Sequence, residues 1–139
     1  MMADSNKILC FACRFGWGYT GSLPQSEEYG SQVLPVLCCG KIETEYVLEA
    51  LRQGIAGVLI LACGENDCHF QDGVVQCYKR LLLLQEILPA FHMAPQRLKM
   101  IFGCDPEGTS IPGHILAFRN ELLELVEPEA DSEQVHYEG

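Results

Sequence analysis

Eight cysteines in 139 residues are the groups in this chain best equipped for chemistry. They stand at Cys10, Cys13, Cys38, Cys39, Cys63, Cys68, Cys77 and Cys104. Thiolates are soft ligands for zinc and iron, good nucleophiles, and the reacting groups of disulfide exchange. Structural disulfides belong mainly to exported proteins. The start, MMADSNK, lacks the basic region and apolar stretch of a secretory signal. The expected compartment is therefore the cytoplasm, and the expected use of the cysteines is metal binding or thiol redox chemistry.

What those thiols can do depends on the elements that carry them. Residues 7–12 (KILCFA) predict a short apolar strand running into a glycine-rich stretch, 14–21 (RFGWGYTG). Residues 32–37 (QVLPVL) predict a second strand, with 22–30 an irregular or short helical crossover between the two. Residues 43–52 (ETEYVLEALR) repeat apolar positions at i,i+4, which predicts a helix closed by Gly54. The uninterrupted run 57–62 (GVLILA) suits a strand covered on both faces. A loop to residue 73 precedes a helix over about 74–91, where four consecutive leucines (81–84) predict deep burial and Pro89 a bent or ended last turn. Residues 97–102 (RLKMIF) predict a fourth strand. Residues 111–126 predict a last helix, with Ile115, Phe118, Leu122 and Leu125 on one face. Strand and helix in alternation predict a three-layer α/β fold. Its small, mostly parallel four-stranded sheet, flanked by helices, is of flavodoxin or Rossmann type.

In such folds functional groups gather at the carboxyl ends of the strands. Cys10 and Cys13 fall at the end of the first predicted strand, Cys38 and Cys39 at the end of the second, and Cys63 at the end of the third. Cys68 follows in the loop, Cys104 follows the fourth strand, and Cys77 alone lies inside a helix, where a packing role is expected. Parallel strands would bring these thiols to one rim. Four thiolates suit zinc or an iron–sulfur cluster, and [2Fe–2S] clusters take four cysteines. One Cys-x-x-Cys, a wider Cys63-x4-Cys68 and the pair at 38–39 fit a cluster gripped from several strands better than a zinc knuckle. Two alternatives stay open: a thiol–disulfide oxidoreductase using Cys10 and Cys13, and a structural zinc-binding scaffold.

Several segments together, Cys10-Phe11-Ala12-Cys13, Cys38-Cys39-Gly40-Lys41 leading into 45–50 (EYVLEA), 57–63 (GVLILAC) and Asp67-Cys68-His69-Phe70, resemble the delta-subunit family of methyl-viologen-reducing hydrogenase. The resemblance runs from about residue 7 to residue 126 and is most specific between Cys38 and Phe70. It implies one [2Fe–2S] cluster and a non-catalytic electron-relay role. The relay would run between a hydrogenase, or another donor or acceptor module, and the flavin-containing A-type component of heterodisulfide reductase or its relatives. It also implies the candidate ligands Cys10, Cys13, Cys38, Cys63 and Cys68, five residues for four places. Cys38 rather than Cys39 matches the family position, while Cys77 and Cys104 depart from the pattern.

The remaining polar groups add little catalytic potential. His69 is expected to pack or to bond a cluster sulfur rather than to ligate. Gly16, Gly18 and Gly21 match a dinucleotide fingerprint by letter, yet no clear helix opens after them. A loop lying over the cluster is expected instead, with Trp17 limiting water access and glycine N–H groups offered to sulfur. Lys79 and Arg80 read as a solvated helix face or as a docking contact near the cluster's negative charge. The net charge is −10, concentrated beyond Asn120, where seven acids meet no base. That predicts a single domain over residues 1–127 and an acidic, disordered tail over 128–139. Nucleic acid needs clustered Lys and Arg, and a membrane span needs about 18 apolar residues; neither occurs.

Overall fold

The computed structural model describes residues 7–13, 16–18, 31–36, 40, 42–62, 73–105 and 107–125. Four strands, β1 (Ile8–Cys13), β2 (Ser31–Val36), β3 (Gly57–Ala62) and β4 (Leu98–Phe102), form one sheet in the order β2-β1-β3-β4. All three pairings are parallel, so the three-layer α/β expectation holds. The helices are α1 (Thr44–Arg52), α2 (Gly73–Ile87) and α3 (Ile111–Leu123). A 3-10 turn over Leu88–Phe91 follows α2, in keeping with Pro89. The crossover 22–30 and the tail 128–139 lie outside the described residues.

Every residue of β1 and β3 is buried, because helices cover both faces of the two central strands. On one face Leu9, Phe11, Val58 and Ile60 meet Val47 and Leu51 of α1 and Cys77, Leu81 and Leu84 of α2. On the other, Ile8, Cys10, Ala12, Leu59 and Leu61 meet Ile111, Ile115 and Phe118 of α3. Burying a ring such as Phe118, which is wholly enclosed, stabilises by roughly 1.5–3 kcal/mol. Gly57 lets α3 sit this close: a β-carbon there would lie 2.7 Å from Leu122 and 2.8 Å from the Phe118 ring.

Two expectations shift. The leucine run of α2 is not buried all round: Leu81 and Leu84 face the sheet, while Leu82 and Leu83 are 44% and 66% exposed. A helix covering one face of a sheet buries only one stripe, and four consecutive residues must go round it. The last helix ends at Leu123 rather than 126, with Leu125 just beyond it. Among the described residues no helix is long and apolar enough to cross a membrane.

Candidate metal centre

The strand order fixes where a site can form. The connections after β1 and after β3 lead toward opposite edges of the sheet, so the topological switch point, where functional groups gather in folds of this kind, lies at the carboxyl ends of these adjacent strands. Cys13 closes β1 at that edge and is level with Val36 of β2. Leu61 pairs with Ala12, so β3 ends one step later at Ala62, and Cys63 is the next residue in the chain. Val36 ends β2 two residues before Cys38. Cys104, exposed, follows β4 at the same edge. Cys38, Cys39, Cys63, Cys68 and His69 lie outside the described residues. Among the described residues no three Cys, His, Asp or Glu side chains meet in a metal-binding group.

Cys10 is displaced from the expected rim. It is the third of six residues in β1, paired with Val33 on one side and Leu59 on the other, and fully enclosed on the α3 face. Burial pushes its thiol up to about 12. The reason is the strand boundary: β1 runs through Cys13, so the whole Cys-x-x-Cys is extended rather than folded into a turn. Three strand rises separate Cys10 from Cys13 by roughly 10 Å between α-carbons. A disulfide needs about 4.4–6.8 Å, so the strand would have to break before these two thiols could join. In this conformation Cys10 and Cys13 stand too far apart for the disulfide that the oxidoreductase alternative requires. Cys77 is buried in the α1/α2 core layer, in line with its helix position.

The turn after β1 is tied to the ends of β3 and β4. Gly16 N–H and Trp17 N–H both donate to Cys13 O, at 3.1 and 2.9 Å. Gly18 N–H donates to Asp105 O at 2.8 Å, and Asp105 N–H to Gly16 O at 2.7 Å. The Trp17 indole N–H donates to Ala62 O at 3.2 Å, and its ring meets the His114 ring edge-on at 5.5 Å. Trp17 is 3% exposed, so it is a pin inside the α3 layer. The backbone N–H groups of Gly16, Trp17 and Gly18 are all engaged by carbonyls, which takes them from both a phosphate and a cluster sulfur. Gly21 lies outside the described residues.

Two anchors have no clear signature in the sequence. Arg80, half-buried on α2, donates to Gly40 O at 2.8 Å and Ile42 O at 3.1 Å, holding the segment just after Cys38 and Cys39. Lys79 beside it is exposed, as a solvated face requires. Asp105 receives the Ser110 hydroxyl and the Ser110 and Gly108 N–H groups. These bonds hold its carboxyl below the usual range, the Ser110 hydroxyl foremost. An Asp and a Ser shortly before Ile111-Pro112 are the available signal for such a helix-leading turn.

No acid–base or nucleophilic constellation competes with this edge among the described residues. The groove of about 380 Å³ beside β4, lined by Tyr78, Leu82, Gln85 and Met100, places its charged Lys99 and Glu121 against each other at 2.8 Å.

Comparison with known proteins gives the same direction. The chain is 31% identical over 105 residues to the iron-sulfur D component of F420-non-reducing hydrogenase from Archaeoglobus profundus, covering 73% of this chain and 77% of that one. It is 28% identical over 90 residues to the corresponding vhc iron-sulfur component of the F420-non-reducing hydrogenase from Methanococcus voltae, covering 64% and 62%. A third relative is the A component of ferredoxin:CoB-CoM heterodisulfide reductase from Methanosarcina mazei, 34% identical over 94 residues. That match takes in 68% of this chain but only 12% of the larger one. Residues 8–126 match the family of the methyl-viologen-reducing hydrogenase delta subunit, and the chain belongs to that family.

Proposed function

We propose that this chain is a cytoplasmic electron-relay subunit holding one [2Fe–2S] cluster on Cys13, Cys38, Cys63 and Cys68. The observation that carries the reading is the switch point between β1 and β3, where Cys13 ends one strand and Cys63 is the next residue in the chain after the other. The donor set suits the group: soft thiolates on separate strand ends, with Arg80 supplying positive charge next to the Cys38 segment. Of the five candidate cysteines, Cys10 is the one left out. Its thiol is enclosed by apolar side chains one strand segment away from the edge, where a thiolate is costly to form. The names of the relatives support an iron–sulfur cofactor in general, and the [2Fe–2S] type goes a step beyond those names.

When bound, such a cluster takes up and releases single electrons. The chain's part is to hold it at the edge of a rigid sheet and to set its surroundings. The partners follow from the company this domain keeps. In two relatives it makes up most of a hydrogenase iron-sulfur component, and in the Methanosarcina mazei protein it is a small part of a heterodisulfide reductase chain. A domain fused to one partner in some chains and free in others fits a docking module. The proposed partners are a flavin-containing protein like the heterodisulfide reductase A component, and a hydrogenase or other donor or acceptor module.

Anaerobic purification tests the reading. The expected result is two irons and two sulfides per chain, visible absorption, and an electron-spin resonance signal after reduction. Colourless protein containing zinc would establish the scaffold alternative instead, and metal-free protein would end both.

A further inference from the structure

The two outer strands of the sheet, β2 and β4, are built differently. β2 carries Pro35, which has no N–H to offer an added strand. β4 (LKMIF) has no proline and one charge, Lys99. A lysine commonly guards an outer strand against pairing, but this one is bound to Glu121 at 2.8 Å and so neutralised. The Gly103 N–H donates to Ala62 O in β3, and backbone bonding alternates in direction along a strand. The backbone groups of Leu98, Met100 and Phe102 therefore face away from β3. The Leu98 carbonyl, which accepts the Gln85 amide at 2.7 Å, marks that outward direction. Among the described residues no strand pairs with this side of β4.

The side chains along it complement one another end for end. At the carboxyl end Phe102 is 47% exposed, its ring edge-on to Tyr78 of α2 at 5.6 Å. Toward the amino end lies the groove of about 380 Å³, lined on the α2 face by Leu82, Gln85, Leu98 and Met100. A second β4 running antiparallel, with Met100 opposite Met100, sets Phe102 of each copy beside Leu98 of the other. Each ring then meets the other copy's groove. The charged groups there, Lys99 and Glu121, cancel, so on a chain of net charge −10 this contact adds no like-charge repulsion of its own.

The chain's own continuation is a poorer occupant. α1 and α2 pack on one face of the sheet and α3 on the other. The crossovers through α1 and α2 step toward β4. A parallel strand added outside β4 after α3 would cross with the opposite hand, against the strong preference for a single hand in such units. Residues 126–139 also bring five acids and no Lys or Arg.

We propose that the outer side of β4 is a dimerisation surface whose occupant is a second copy of this chain. The two β4 strands pair antiparallel about Met100 and join two four-stranded sheets into one, with Phe102 of each copy seated in the groove of the other. A twofold axis through Met100 makes the contact isologous and closed. It does not depend on the cluster reading.

Sedimentation of the full chain, together with hydrogen exchange at single amides, tests this. The expected mass at high micromolar concentration is twice the 15.5 kDa of one chain, falling to that of one chain on dilution. The Met100 and Phe102 amides should exchange several-fold more slowly in the dimer than in the dilute monomer, while the amides of β3 stay equally protected. Phe102→Glu puts a carboxylate where the ring meets the groove. It should raise the dissociation constant at least about a hundredfold, as the loss of two buried rings implies. Monomer at every concentration would overturn the proposal and leave this strand to a different protein. A dimer in which Met100 and Phe102 exchange as fast as in the monomer would overturn it, because its contact lies elsewhere. So would a Phe102→Glu dimer as tight as the parent's. Protection of both amides at every dilution would assign the strand's outer side to a segment of the same chain, and that too ends the proposal. The exchange measurement needs no variant, so it decides the matter even if Phe102→Glu does not fold.

Discussion

The same thiol stands in different surroundings at Cys10 and Cys13, three residues apart on one strand, and on the proposed ligand set only Cys13 binds iron. Cys10 is enclosed between Val33 and Leu59 under α3, and Cys13, 3% exposed in the same apolar cluster, stands where the strand meets the turn. Cys10→Ala should therefore keep iron and visible absorption at parental levels with a stability loss of about 1 kcal/mol, whereas Cys13→Ser should lose most of its iron. Iron assays and absorption spectra of the two variants check this, and a colourless Cys10→Ala would return Cys10 to the ligand set. Burial gives Cys10 a second signature. Its folded thiol titrates near 12, against about 9 in the unfolded chain. The unfolded state loses its proton first, so the stabilising contribution is complete below pH 9 and is lost as pH rises toward 12. Denaturant midpoints of metal-free protein should fall across that window, and fall less in Cys10→Ala. From sequence both cysteines fall at the strand end, because the extent of a strand is less certain than its existence. Cys10 lies inside the strand on either reading of its end, and its place between Val33 and Leu59 under α3 is what encloses it.

Elements are more legible in the sequence than their ends. The i,i+4 repeat of α1 specifies a helix, and the short apolar run of β3, with β-branched Val58 and Ile60 and glycine at its start, specifies a strand; both elements form where those signals place them. The leucine run of α2 has no periodicity of its own, so nothing in it marks Leu82 and Leu83 as the outward pair. Long-range anchors are invisible for a different reason. Arg80 and Gly40 are forty residues apart in the chain, and only the packing of α2 against the sheet brings them together. Arg80 carries both carbonyl bonds on one guanidinium nitrogen, Nη1, at the end of a long side chain whose reach and permanent charge the shorter, neutral glutamine lacks. Arg80→Gln should cost about 1.5–3 kcal/mol of stability, and it should loosen the segment after Cys38 so that iron leaves faster. Thermal unfolding and chelator kinetics give the two numbers. Lowered stability with unchanged iron loss would limit Arg80 to support of the fold.

At the scale of the whole molecule, we propose that the working unit stops near residue 127. The family match ends at residue 126, and the acids beyond Asn120 meet no base. The match to the Methanosarcina mazei protein uses 94 residues and takes in only 12% of that longer chain. Residues 128–139 contribute four acids, Glu129, Asp131, Glu133 and Glu138, to the net charge. Like charges in water at physiological salt act over roughly 8 Å, which confines their effect to nearby surface and to encounter with partners. A chain ending at residue 127 should therefore match the full chain in iron content, absorption and thermal midpoint. Its association with a heterodisulfide reductase A-like partner should change in rate and in salt dependence, while the final complex retains its electron transfer. Stopped-flow mixing at low and high salt separates these effects. Loss of iron on truncation would place the tail inside the domain, and an unchanged association rate would deny it any part in docking.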